Sequence, residues 1–122
     1  MSEDIHTGSC LCGGVAYALT GPMRPVAVCH CTQCRKTTGH IFASTQVPRA
    51  AFRLTNEETL AWYKSSEMAE RGFCNRCGSS LFWRRYDEDT ISITAGTLDG
   101  PTGLSIGKHI FTDTKGDYYD VP

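Results

Sequence analysis

Seven cysteines in a chain of 122 residues fall into three tight groups: "CLC" (Cys10, Cys12), "CHCTQC" (Cys29, Cys31, Cys34) and "CNRCG" (Cys74, Cys77). In a reducing compartment such clustering points to metal binding or catalysis before disulfides, and an odd number leaves one cysteine over in any full pairing scheme. The C-x-x-C turn followed by Gly78 is the most specific of the three. It brings two sulfurs onto one ion while the glycine takes a positive φ. A C-x-C pair in extended chain puts both side chains on one face with their Cα atoms about 6.6 Å apart. Tetrahedral zinc with bonds of about 2.3 Å wants its sulfurs roughly 3.8 Å apart, so the two side chains need only lean together. The same geometry turns Leu11 and His30 to the opposite face, which makes His30 a poor ligand for the metal of Cys29 and Cys31.

Seven divides most naturally into a closed four-thiolate site and a triple with a vacancy. Spacing alone leaves open whether the Cys74–Cys77 knuckle partners Cys10 and Cys12 or two cysteines of the triple. The closeness of Cys29, Cys31 and Cys34 in sequence favours the first, since all three can converge on one ion. A closed site joining the N-terminal pair to a knuckle more than sixty residues later clamps the fold. An open site is the catalytic kind. Three thiolates around Zn²⁺ leave the complex with a formal charge of -1, which weakens its pull on a bound water relative to a three-histidine site. The softness of the set favours a further sulfur, so the site suits a thiol substrate held as thiolate beside a small carbonyl carbon.

The elements that must position these groups read as strands. Apolar residues alternate at Val15, Tyr17 and Leu19, at Ile41, Ala43, Thr45 and Val47, and at Ile91, Ile93 and Ala95. Further short candidates are "AFRL" (51–54), "LAWYKS" (60–65), "SLFWRR" (80–85) and "KHIF" (108–111), each between Gly, Pro, Asn or Asp breakers. No window supports a helix of normal length, and at most a single turn is expected around "RKTTG". The expectation is an all-β domain of short, mainly antiparallel strands with little or no helix. Residues 1–8 are expected to be a flexible N-terminus and 9–122 one zinc domain. With 40% hydrophobic and 20% charged residues the chain can bury a core, and a net charge of -1 gives no global field to draw in a polyanion. The N-terminus lacks a secretory pattern and no segment is apolar for long enough to span a bilayer, so a soluble, cytoplasmic protein is expected.

Five stretches resemble one known family: "GSCLCGGVAYALTGP", "CHCTQCRKTTG", "RGFCNRCGSSLFWR", "GTLDGP" and "KHIF". The family is the glutathione-dependent formaldehyde-activating enzymes, or GFA (centromere protein V/GFA) domain, and the likeness runs from about Ser9 to Tyr119. It implies a β-tent fold with two zinc ions per chain. Carried over by position, it implies that Cys10, Cys12, Cys74 and Cys77 form the structural zinc site and Cys29, Cys31 and Cys34 the open catalytic one. It further implies a carbon-sulfur lyase acting reversibly on the adduct of a small thiol such as glutathione and a small aldehyde, S-hydroxymethylglutathione in the family's name reaction.

Other residues are candidates with bland alternatives. Arg35 and Lys36, directly after Cys34, could offset the negative complex or bind a substrate carboxylate, or could be ordinary surface cations. His109 matches a family position and has a suitable unperturbed pKa for proton transfer. His40 and His6 have lesser claims, His6 being placed in the flexible terminus. Phe82, Trp83, Trp62 and Tyr63 read as core and sheet-surface residues, one or two of which could wall a pocket. "FWRR" could pass for a nucleic-acid patch, but Asp87, Glu88 and Asp89 follow at once and a solvated face is favoured. The rival to an enzyme is a non-catalytic zinc module binding protein or nucleic acid, distinguished by a basic or apolar patch in place of a pocket beside Cys29. Iron in the four-cysteine site is a third reading. A homodimer through an edge strand is open, and nothing in the sequence selects the edge.

Overall fold

The structure is a computed structural model and describes residues 4–122. Ten strands run in chain order: β1 (Ile5–Ser9), β2 (Ala16–Thr20), β3 (Val26–Cys29), β4 (Phe42–Pro48), β5 (Phe52–Asn56), β6 (Leu60–Lys64), β7 (Ala69–Cys74), β8 (Ser80–Arg85), β9 (Thr90–Thr94) and β10 (Ile106–Ile110). They form a three-stranded sheet in the order β1-β2-β5 and a seven-stranded sheet in the order β10-β3-β4-β9-β8-β7-β6. All neighbours are antiparallel except β10 and β3, which pair in parallel. One short helix, α1 (Thr32–Thr38), follows β3. The all-β architecture expected from the alternation is therefore the one observed. Among the described residues no helix is long and apolar enough to cross a membrane.

Period-two side-chain alternation gives the large sheet two different faces. One face carries Val47, Ile91, Ile93 and Phe82, all buried, against the small sheet. Tyr17 of β2 meets Phe82 edge-on at 5.4 Å between ring centroids, and Phe52 of β5 meets the same ring at 5.1 Å. Gly72 opposes Phe82 across the β7–β8 ladder, where a Cβ would stand 2.9 Å from Phe82 Cδ2 and 3.0 Å from Trp62. A glycine is what lets the two aromatic rings close over β7. The opposite face carries Gln46, Ser92, Trp83 and Arg71, which lie in register across β4, β9, β8 and β7. That row is polar, and it lines a cavity.

Three departures from the sequence reading have physical causes. Residues 5–8, expected in a flexible terminus, belong to β1, which pairs with β2 from Ile5↔Thr20 to Ser9↔Ala16. As an edge strand with Ile5 66% exposed, β1 carries no buried alternation by which to be found. Asp4 is exposed and outside any strand, and residues 1–3 of that expectation lie outside those described. The helix begins at Thr32, ahead of Cys34, and makes nearly two turns, because Cys31 caps it and Gly39 ends it in the left-handed conformation at φ 84°. Its only buried residue is Cys34, so it has no apolar stripe to betray it. Finally, β3 and β7 were not anticipated; β7 reads "AERGFC" and buries an arginine where a hydrophobe would have marked the period.

Candidate metal centres and the cavity beside them

The fold gathers the cysteines into two groups. The sulfurs of Cys10, Cys12, Cys74 and Cys77 all lie within 4.8 Å of one another, as do those of Cys29, Cys31 and Cys34. None of the seven is in a disulfide. Each group could hold a metal ion. In the first, Cys10 Sγ is 3.7 Å from Cys12 Sγ, which is 3.6 Å from Cys74 Sγ. Those separations match the roughly 3.8 Å edge of a tetrahedron with metal-sulfur bonds of about 2.3 Å.

Local structure explains the fit. Cys10 and Cys12 sit in a tight turn, not in extended chain, closed by Gly13 N–H donating to the Cys10 carbonyl. The turn brings the sulfurs together and leaves Leu11 outside, 91% exposed. Cys74 ends β7 and Cys77 follows in the knuckle, where Gly78 takes φ 82° and donates to the Cys74 carbonyl. Four N–H groups donate to these sulfurs. Cys74 Sγ receives the N–H groups of Arg76 and Cys77 at 3.4 and 3.3 Å and lies 3.1 Å from the Thr59 hydroxyl. Cys10 Sγ receives Val15 N–H at 3.3 Å, and Cys12 Sγ receives Arg76 Nε at the same distance. Burial raises the Cys10 thiol. Burial works in the same direction on Cys74, but donated N–H and O–H groups outweigh it and bring that thiol down to about 7. Cys77 falls to about 5, first through the Ser79 hydroxyl. Donors converging on sulfur stabilise thiolates, the form a metal requires.

The triple is built differently. Cys29 ends β3, Cys31 is the N-cap of α1 with its Sγ accepting Cys34 N–H at 3.3 Å, and Cys34 lies one turn into the helix. Donation from the Cys34 thiol lowers Cys29, and the same bond together with burial raises Cys34. Arg71, only 8% exposed, reaches over from β7. Its Nη2 donates to Cys34 Sγ at 3.4 Å and to Gln33 Oε1 at 2.8 Å, its Nε donates to Gln33 Oε1 at 3.1 Å, and its guanidinium lies 5.1 Å from the centre of the Phe42 ring. No carboxylate pairs with it among the described residues. Cys34 Sγ is the cysteine sulfur it touches.

A cavity of about 210 Å³ opens on Cys29, Cys31 and Cys34 and on none of the other four cysteines. Its floor is the polar face of the large sheet, and Trp83, read from sequence as a core or sheet-surface residue that could wall a pocket, walls one side. Ile110 and Phe111 close another. His30 points away from it, as the C-x-C geometry requires. Buried, it lies with Nδ1 2.6 Å from the Tyr119 hydroxyl and Nε2 2.9 Å from His109 Nδ1. Burial, then the charges of His109, His40 and Lys115, depress its pKa.

The other candidates fall as follows. His109 supports His30 from β10 and is absent from the cavity wall, and His40 bonds the Tyr118 hydroxyl at 2.6 Å. Arg35 Nε donates to the Thr114 carbonyl at 3.2 Å, and Lys36 is exposed; neither lines the cavity. His6 sits on β1 opposite Leu19. In "FWRR" both arginines are paired, Arg84 with Glu70 at 2.6 Å and Arg85 with Asp87 at 2.9 Å. The cavity wall adds Arg24, Gln33 and Arg71, on which the sequence reading placed no weight. An arginine inside a strand pattern was the one available signal, at Arg71.

The sequence pattern that defines the glutathione-dependent formaldehyde-activating enzymes matches residues 5–114. The chain belongs to the GFA family. Within reach of this GFA chain by similarity is a Schizosaccharomyces pombe protein named as an uncharacterized lyase, 28% identical over 119 residues that cover 94% of this chain and 84% of the relative. A Rhodobacter sphaeroides protein of known crystal structure superposes with a TM-score of 0.67 at 21% identity, over 84% of this chain and 98% of that one, and so shares the fold. Family and relative together support a lyase-type function for this GFA member.

Proposed function

We propose that the protein is a zinc-dependent carbon-sulfur lyase that forms and cleaves thiol-aldehyde adducts at Cys29, Cys31 and Cys34, while Cys10, Cys12, Cys74 and Cys77 hold a second, structural zinc. One observation carries the reading: the cavity reaches the three-cysteine group and leaves the four-cysteine group sealed from it. A site with three protein ligands beside a pocket is the open kind, and one with four is the closed kind. Zinc so held would supply a coordination position that favours a thiolate sulfur at neutral pH.

The chain's own residues do the rest. Arg71 balances the thiolate charge and, through Gln33 and Cys34, fixes the first turn of α1 against β7. Trp83, Ile110 and Phe111 give the cavity apolar walls against which a small carbonyl compound can lie. In the synthetic direction the thiol gives up its proton, its sulfur forms a bond to the carbonyl carbon, and the carbonyl oxygen takes a proton to become a hydroxyl. In the reverse direction that hydroxyl loses its proton, the C=O bond re-forms, and sulfur departs with the bonding pair. Arg35, Lys36 and His109 stand outside the cavity, so substrate contact falls to the groups that line it.

Replacing Cys34 by Ser tests the reading. The variant is expected to retain one zinc and its fold, measured by elemental analysis and circular dichroism, and to lose turnover of S-hydroxymethylglutathione and of simpler thiol-formaldehyde adducts. Unchanged turnover would refute the open-site mechanism.

A further inference from the structure

The cavity has a second cationic wall away from the cysteines. Cys29 pairs with Phe42, and the next rung facing the cavity is Ala27 opposite Ser44. Two residues along a strand advance about 6.6 Å. At that rung Arg24 is pinned by its Nη2, which donates to the Ser44 carbonyl at 3.0 Å and to the Ser44 hydroxyl at 3.4 Å. Its backbone N–H is tied to the Gln46 carbonyl at 3.3 Å and its carbonyl accepts the Thr45 hydroxyl, so the guanidinium stands on a braced main chain. The Nε is buried without a partner. No carboxylate pairs with Arg24 among the described residues, and no acidic residue lines the cavity. Arg71 is already committed to Gln33 and Cys34, whereas Arg24 has no anionic partner among the described residues. Burial accordingly depresses its pKa with no opposing charge. A half-buried guanidinium without an anion is costly, and with Nη2 held by Ser44 and Nε sealed, Nη1 is left as the nitrogen that can meet a carboxylate.

We propose that Arg24, with the neighbouring Ser44, Gln46 and Ser92, is the specificity site for a carboxylate carried on the substrate thiol. The spacing of one cavity rung sets the substrate class: a short thiol whose carboxylate is two or three carbons from sulfur. A volume of about 210 Å³ suits such a molecule and lies below the roughly 300–1,000 Å³ of pockets that enclose larger ligands. The inference rests on the reading of the cysteine triple as a thiol site. It adds that selection among thiols occurs at the opposite wall of the cavity, through a residue that precedes the first cysteine of the triple by five positions.

The test is calorimetric titration of the zinc-loaded protein with 3-mercaptopropionate, with its neutral amide and with propionate. The acid is expected to bind about 10- to 100-fold more tightly than the amide, the range of a charge-assisted hydrogen bond. In Arg24→Gln that ratio should fall to near one. Equal binding of acid and amide to the wild-type protein overturns the proposal without need of any variant, and so does a preference that survives Arg24→Gln. Propionate binding that depends on Arg24, with no advantage from the thiol, would uphold the anion site while refuting the thiol reading beneath it.

Discussion

Replacing Arg71 by Met separates the charge balance of the open site from the packing of the sheet. Methionine keeps much of the side chain's length over Phe42 and removes three hydrogen bonds, two to Gln33 Oε1 and one to Cys34 Sγ, along with the cation in contact with Cys34. With zinc bound the three thiolates leave a formal charge of -1, and Arg71 neutralises it. A hydrogen bond to a charged group is worth about 1.5–3 kcal/mol, which corresponds to roughly 10- to 100-fold in affinity. The open site should therefore bind zinc about 10- to 100-fold more weakly, read by competition with a chromophoric chelator, while the four-cysteine site is unaffected. In the metal-free protein the sign reverses. There Arg71 is an almost fully buried cation with no carboxylate partner, so its removal should leave stability to urea unchanged or raised. A variant whose open-site affinity stays within twofold of wild type would show that Arg71 does not balance the thiolates. One that loses stability by several kcal/mol without metal would show that its role is structural.

Two further outcomes follow from the closed site and the core. Cys74 is wholly buried, and Cys74→Ser should leave too little zinc-binding energy to hold the β1–β2 turn on the knuckle. Structural zinc contributes roughly 10–16 kcal/mol in small domains, so thermal melting of this variant should lose its cooperative transition; a melt at the wild-type temperature would refute the clamp. Tyr17, buried with its hydroxyl 2.7 Å from Thr97 Oγ1, has its ionisation pushed up to about 12, chiefly by burial. The unfolded chain ionises near 10, so this contribution is intact below pH 10 and is lost as pH climbs through 12, amounting to about 2–3 kcal/mol. Urea unfolding across that window should show the decline, and Tyr17→Phe should flatten it.

The two cysteine groups that could hold metal were the most legible part of the site because thiol chemistry is carried by residue type and short spacing. Spacing alone left the partner of the Cys74–Cys77 knuckle open; the closeness of Cys29, Cys31 and Cys34 in sequence favoured the division into four and three, and the family likeness implied it. Core strands were legible too: β2, β4, β8 and β9 are short apolar stretches between breakers, although each buries two or three successive positions and not every second one. What escaped lies where burial is polar. β7 turns Arg71 inward, and the cavity floor presents Ser44, Gln46 and Ser92, residues that read as solvent-facing in sequence and are enclosed only because the sheet folds over them. The parallel pairing of β10 with β3 was invisible for another reason. It joins segments about eighty residues apart, and a short strand with three exposed positions out of five carries no mark of its partner.

The two groups of cysteines also differ in when they exist. During synthesis the triple is complete once Cys34 has been made, whereas Cys12 must wait 62 further residues for Cys74. At 5–20 residues per second that wait is roughly 3–12 seconds. For this interval Cys10 and Cys12 are a lone dithiol on an unfinished chain, open to oxidation or to a competing ion. Retention of the N-terminal turn thus depends on the cell's redox and metal buffering during those seconds as much as on the finished fold.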